Sequence, residues 1–193
     1  MIPHILTQLN FLDLIVLVIF LRVCYIGSRM GFSVEIFKLS GVLTATYVSM
    51  HYYTRLSDLV QKRFMSGSMP VEFIDFLFFL LLIVAVYFFF VFLRSLLFRF
   101  IQLNTIPKIN QLAGFILAIA RSFLITGLLA YSLAICSVSY VTGWTRHSYI
   151  VRQATGISPS TYAWIWNNIV SKFSAHGKYN STVDEATDKF NRQ

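Results

Sequence analysis

Between Asn110 and Tyr131 the chain reads Asn-Gln-Leu-Ala-Gly-Phe-Ile-Leu-Ala-Ile-Ala-Arg-Ser-Phe-Leu-Ile-Thr-Gly-Leu-Leu-Ala-Tyr. The stretch is apolar enough to cross a bilayer, yet Arg121 stands in its middle. An ionised side chain at that depth is costly in hydrocarbon and ordinarily faces a protein interior or a water-filled cavity. Gly114, Ala118, Ser122, Thr126 and Ala130 recur at every fourth position, a spacing that lets a second helix approach closely. The stretch therefore predicts a helix with a partner helix, and a polar or acidic neighbour for Arg121. A polytopic membrane protein meets both requirements.

Composition agrees. Of 193 residues, 56% are hydrophobic and 12% charged, whereas soluble domains average about 25% charged. The net charge of +8 is spread over loops, helix ends and tail. Nucleic-acid binding needs a clustered basic face, so that class is set aside in favour of a lipid bilayer partner. Cys24 and Cys136 lie within apolar segments, without the spacing of a zinc or redox motif, and read as packing residues. No Lys or Arg precedes Arg22, so the first apolar run reads as a retained helix, not a cleaved signal.

Four spans follow, at about 9–26, 31–53, 71–93 and 110–138. Each falls within or exceeds the roughly 17–25 residues that a transmembrane helix needs, the first at the lower end. Asp13 and Arg22 sit one turn inside either end of the first span, where they can snorkel or pair locally. Gly27 and Ser28 mark the turn after it. The second span is the least hydrophobic and holds Glu35 and Lys38, with Lys38, Gly41 and Ala45 on one face and Glu35 at its edge. Thr54 to Pro70 reads as a polar loop, in which Leu56, Leu59, Val60 and Phe64 recur at helical spacing. The third span is apolar all round, as suits a lipid-facing helix, and carries Asp75 in its first turn. Pro107 ends any extension of it.

Residues 1–140 thus form a four-helix membrane domain, and 141–176 an amphipathic tail. Within the tail, Tyr162, Ile165, Trp166, Ile169, Val170 and Phe173 define an apolar helix face. That face lies either on the membrane surface or on the bundle. Residues 177–193 are polar and read as disordered, and Asn180-Ser181-Thr182 fits a glycosylation acceptor. Five basic residues stand near the first and third loops (Arg22, Arg29, Arg94, Arg99, Lys108). Against them stand Arg55, Lys62 and Arg63 in the second loop and Arg146 and Arg152 in the near tail, so the weight given to short loops decides. The positive-inside rule then places the first and third loops in the cytoplasm and both termini outside.

The second and fourth spans start on the same side of the membrane, so Glu35 and Arg121 are expected to pair or be bridged. Lys38 or Arg22 is expected nearby, and Gly31, Gly41, Asn110, Gly114, Ala118 and Ser122 around them. Three readings stay open: a device that fixes helix register, a solute or proton pathway, and a face for a partner's helix. Enzyme signatures such as Gly-x-Ser-x-Gly, His-Glu-x-x-His, Walker A or a Rossmann glycine pattern are absent. His4, His51, His147 and His176 are scattered and read as interface or surface residues. No enzyme activity, cofactor or metal site is expected.

Asn10-Phe11-Leu12-Asp13, Gly31-Phe32-Ser33-Val34-Glu35 and Asn110 through Ser122 together resemble the colicin V production protein family. The family's second motif is Arg-Gly-Phe-x-x-Glu; here Met30 replaces the arginine and Arg29 stands one place earlier. Its last motif is Asn/Asp-x-x-x-Gly-x-x-x-Gly-x-x-Arg-Gly, matched at Asn110, Gly114 and Arg121, with Ala118 and Ser122 where glycine is usual. The resemblance implies a small four-helix protein of the bacterial inner membrane, linked to colicin V production or export and to envelope upkeep. The expectation is an all-α, polytopic membrane protein with four transmembrane helices and a C-terminal amphipathic helix, acting as an accessory factor. The rivals are a small channel or transporter, built as a homo-oligomer, and a docking module for a protein partner of the envelope or secretion machinery.

Overall fold

A single residue, Gly31, joins the first two helices, α1 (Phe11–Met30) and α2 (Phe32–Phe64). Its φ of 79° lies in the left-handed region, which glycine enters without steric cost. The turn expected at Gly27–Ser28 is therefore displaced by one helical turn, and Gly27 lies inside α1. The other elements are α3 (Val71–Phe100), α4 (Pro107–Ile135), α5 (Tyr149–Ala154), α6 (Ile157–Ile165), α7 (Ser171–Phe173) and α8 (Thr182–Arg192). A π-helical segment, Trp166–Val170, joins α6 to α7. This is a computed structural model, and it describes residues 11–64, 70–100, 107–136, 148–173 and 177–192. His4, Asn10, Gly143, His147 and His176 lie outside the described residues.

Among the described residues three helices are long and apolar enough to cross a membrane: α1, α3 as far as Leu97, and α4 from Ile109. The chain is an all-α membrane protein. The second helix does not reach that hydropathy, and it is also longer than expected, running through the predicted loop to Phe64. Ser57 on this extension is buried, while Arg55 and Asp58 are exposed. The helical spacing in 54–64 thus outweighs the polar composition. Pro107 opens α4, a position where its missing N–H costs nothing.

The packing order is not the chain order. Helix α4 lies between α1 and α2, and α3 packs on the far side of α2, while α1 and α2 touch little beyond their junction. Most of α3 faces outward, with Phe88, Phe89 and Phe92 exposed, while Ile74 and Phe79 are deeply buried. In a bilayer that surface meets lipid.

The main core lies towards the end of the bundle away from Gly31, around Val42, Met50, Tyr53, Phe79, Leu128 and Tyr131. The Tyr53 and Tyr131 hydroxyls meet at 3.2 Å inside it. The tail completes this core: Tyr162 of α6 and Val183 of α8 are fully buried there. Residues 177–192 therefore correct the expectation of disorder. Val183, Ala186 and Phe190, at i, i+3 and i+7, give a mostly polar helix one narrow apolar stripe, of which Val183 and Ala186 meet the core. The Asn180 amide donates to the Met50 carbonyl at 2.7 Å, so the asparagine of the glycosylation-type triplet ties the tail to α2.

The choice left open for residues 161–173 resolves by halves. Tyr162 and Trp166 dock on the bundle, while Trp164 and Phe173 are 59% and 88% exposed. The π-helical segment Trp166–Val170 widens the turn, and beyond Trp166 the stripe residues Ile169 and Phe173 are exposed. His51, read as an interface or surface histidine, is buried. Its ring stacks on Trp166 with centroids 5.5 Å apart, and its Nδ1 lies 3.0 Å from the Tyr162 hydroxyl. The Asn180 backbone N–H donates to that same hydroxyl at 3.0 Å. Burial pushes the Tyr162 phenol up to about 12.

Asp13 corrects a second local reading. It does not snorkel: its carboxylate is fully buried and accepts from Ser148 Oγ and from the Ile150 N–H, the latter at 2.9 Å. Ser148 is itself the N-cap of α5 and accepts from the Val151 N–H. A carboxylate at a helix N-terminus satisfies orphan donors and the helix dipole together. Asp13→Ala is expected to cost about 1–3 kcal/mol through those unsatisfied donors. The measurable result is faster amide exchange across 148–154 with the exchange of α2 unchanged; equal exchange in both proteins would remove Asp13 from this role.

Candidate functional site: a buried ion cluster at the helix junction

The site is assembled where α1 ends and α2 and α4 begin. Asn110, in the first turn of α4, reaches across to the junction, and its Oδ1 accepts the Phe32 N–H at 2.7 Å. This supplies from another helix the cap that Gly31 cannot give to α2. One turn further along α4, Gly114 meets the junction backbone: a Cβ there would stand 2.7 Å from the Gly31 carbonyl carbon. One more turn on, Ala118 is fully buried against Gly27. Next, Ser122 Oγ lies 3.3 Å from Cys24 Sγ. The small-residue stripe of α4 thus receives the end of α1 and the Gly31 junction.

The expected partner of that stripe, Gly41 of α2, does not meet it. Gly41 is turned to α3, where an added Cβ would lie 3.0 Å from Phe90 Cβ. Gly27 is the residue that sequence reasoning misses, because Gly27-Ser28 has the composition of a turn. Its signal is the four-residue spacing to Gly31, a small-x-x-x-small pair at the end of an apolar helix.

Arg121 projects from α4 toward α2, and its Nη1 is 2.9 Å from Glu35 Oε2. Lys38 Nζ is 2.9 Å from the other carboxylate oxygen, Oε1. Glu35 is 0% exposed, Arg121 6%, and the Lys38 side chain 16%. One buried anion is therefore shared by two cations, one deep and one at the rim. Lys38 Nζ also lies 2.9 Å from Met30 Sδ, so Met30, which stands where the family motif has arginine, borders the cluster. Arg29 lies over the Tyr25 ring, 4.7 Å from its centroid.

Arg22 is exposed on α1 and does not join the cluster. Asp75 is half-buried near the start of α3, at the opposite end of the bundle, and Asp13 belongs to the tail contact described above. Cys24 and Cys136 are both buried free thiols. Among the described residues, no group of three or more His, Cys, Asp or Glu side chains could hold a metal.

Chemically the cluster is a closed ion triad. Taking charges out of water costs several kcal/mol for each ion, and only close pairing offsets it. Here Glu35 Oε1 accepts a hydrogen bond from Lys38, while Oε2 is held by the ion pair to Arg121 alone. Neither Oε2 nor Arg121 Nε makes a hydrogen bond among the described residues, and the helices around them touch through glycine and alanine. No curated protein and no solved structure matches the chain. The family comparison does: residues 12–159 match the colicin V production protein family, a segment that contains the Gly31–Glu35 junction and the whole Asn110–Ser122 stripe. With the junction, the stripe and the ion triad inside one match that covers most of its length, the chain belongs to the colicin V production protein family.

Proposed function

We propose that the chain is a non-enzymatic accessory protein of the bacterial inner membrane that supports colicin V production at the stage of export, and envelope homeostasis with it. Family membership supports a membrane accessory role in colicin production. The observation that carries the non-enzymatic reading is the state of Glu35. It is fully buried and ion-paired to a separate cation at each oxygen, which suits a charge that sets helix register better than one poised for proton transfer or solute contact. In this reading α2 crosses the membrane together with its neighbours α3 and α4, the α1–α2 and α3–α4 connections are cytoplasmic, and both termini are periplasmic.

The experiment is complementation. A strain lacking the gene and carrying colicin V genes is expected to release less active toxin, while toxin synthesis inside the cell stays normal. Undiminished release would overturn the accessory role. Liposomes containing only this protein are expected to show no solute flux; flux that Arg121→Ala abolishes would establish the channel reading instead.

A further inference from the structure

Acidic residues are absent between Glu35 and Asp58, and again between Asp75 and Asp184. Asp13, Asp58, Glu72 and Asp75 all stand towards the opposite end of their helices from the Gly31 junction. At the junction end, Glu35 is thus the one carboxylate among the described residues of α2, α3 and α4, set against Lys38, Arg94 and Arg121. This end of the three helices carries net positive charge.

A small pocket opens beside that excess, between α2 and α3. Lys38 and Arg94 line it together with Phe37, Tyr87, Phe90 and Val91. Gly41 forms part of its floor, and the missing side chain there keeps the space open. The volume is about 30 Å³, on the scale of one small group and not of a folded peptide. Lys38 is six residues from the start of α2 and Arg94 six from the end of α3, so in these antiparallel helices both lie about 9 Å in from the junction end. Tyr87 and Val91 are half-exposed and continue into the Phe88 and Phe92 surface that faces lipid. A polar pair at the head of an apolar wall is thus presented sideways, to the bilayer.

We infer that this pocket binds the phosphate of an anionic membrane lipid, with Lys38 and Arg94 as the phosphate contacts and the Tyr87–Val91 wall against its acyl chains. Arg94 donates in a planar fork suited to phosphate oxygens, and Lys38 adds a compact charge. The apolar wall selects a lipid over free phosphate.

The test is native mass spectrometry of the full-length protein released from detergent with dioleoyl phosphatidylglycerol or dioleoyl phosphatidylcholine. The wild type is expected to retain phosphatidylglycerol in preference, and Arg94→Gln to lose about fivefold in retention, as for one cationic contact removed at a lipid surface. Val91→Trp, which fills the pocket without changing charge, is expected to lose retention as well, and it serves if Arg94→Gln does not fold. Equal retention of the two lipids, or undiminished retention in both variants, would overturn the proposal. Displacement of the lipid by millimolar inorganic phosphate would overturn the assignment to a lipid.

Discussion

Glu35→Ala is expected to destabilise the bundle by about 3–5 kcal/mol, the cost of leaving buried charges without their partner. Two cations depend on this carboxylate, so its loss uncovers both. Arg121→Ala is expected to cost less, because Lys38 still neutralises Glu35, and Lys38→Ala least, because Lys38 sits at the rim. Thermal unfolding in detergent reads this order. The coupling is checked by Glu35→Arg combined with Arg121→Glu, which restores the pair with its ends exchanged. The double variant is expected to recover part of what each single variant loses. Recovery stays incomplete because the introduced guanidinium then stands beside the like charge of Lys38. A double variant as unstable as the sum of the singles would mean that the two side chains are not coupled.

Gly27→Ala is the second large expected effect, and a surprising one, since alanine in a helix interior normally gains about 1 kcal/mol over glycine. Here the new methyl would overlap Ala118 Cβ, far inside the roughly 3.5–4.0 Å at which carbon atoms attract. Each of these carbons is the first atom of its side chain, so no rotamer change relieves the contact, and α1 and α4 have to separate. Overpacking of that kind costs about 1–3 kcal/mol. The companion change Ala118→Gly returns the space from the other helix. Gly27→Ala with Ala118→Gly is expected to melt near the wild type. If the pair melts with Gly27→Ala alone, the close approach of α1 and α4 lies elsewhere.

Both variants act on one device. The carboxylate and the glycine contacts hold three helices in a single register at the junction end, while the tail locks the other end through Asp13, Tyr162 and Val183. A bundle clamped at both ends suits an accessory protein that presents a fixed surface within the membrane.

Much of this is legible in residues alone, because it follows from chemistry that acts locally. The helices announce themselves by apolar length. The need of Arg121 for a partner follows from the cost of a bare charge in hydrocarbon, and Glu35 is the available carboxylate near its level. The small residues of α4 require a close neighbour. What spacing along one helix does not carry is the identity of that neighbour. Gly114 and Ala118 are met by the junction and α1, because α4 inserts between α1 and α2, while Gly41 serves α3. Asp13 looks like a local charge until the fold brings Ser148 and Ile150 to it from far along the chain. Val183 looks like an isolated valine in a polar tail until α8 lays it into the core. Composition and periodicity determine which face of a helix must be covered; only the tertiary packing decides what covers it, since that choice rests on contacts between residues far apart in sequence.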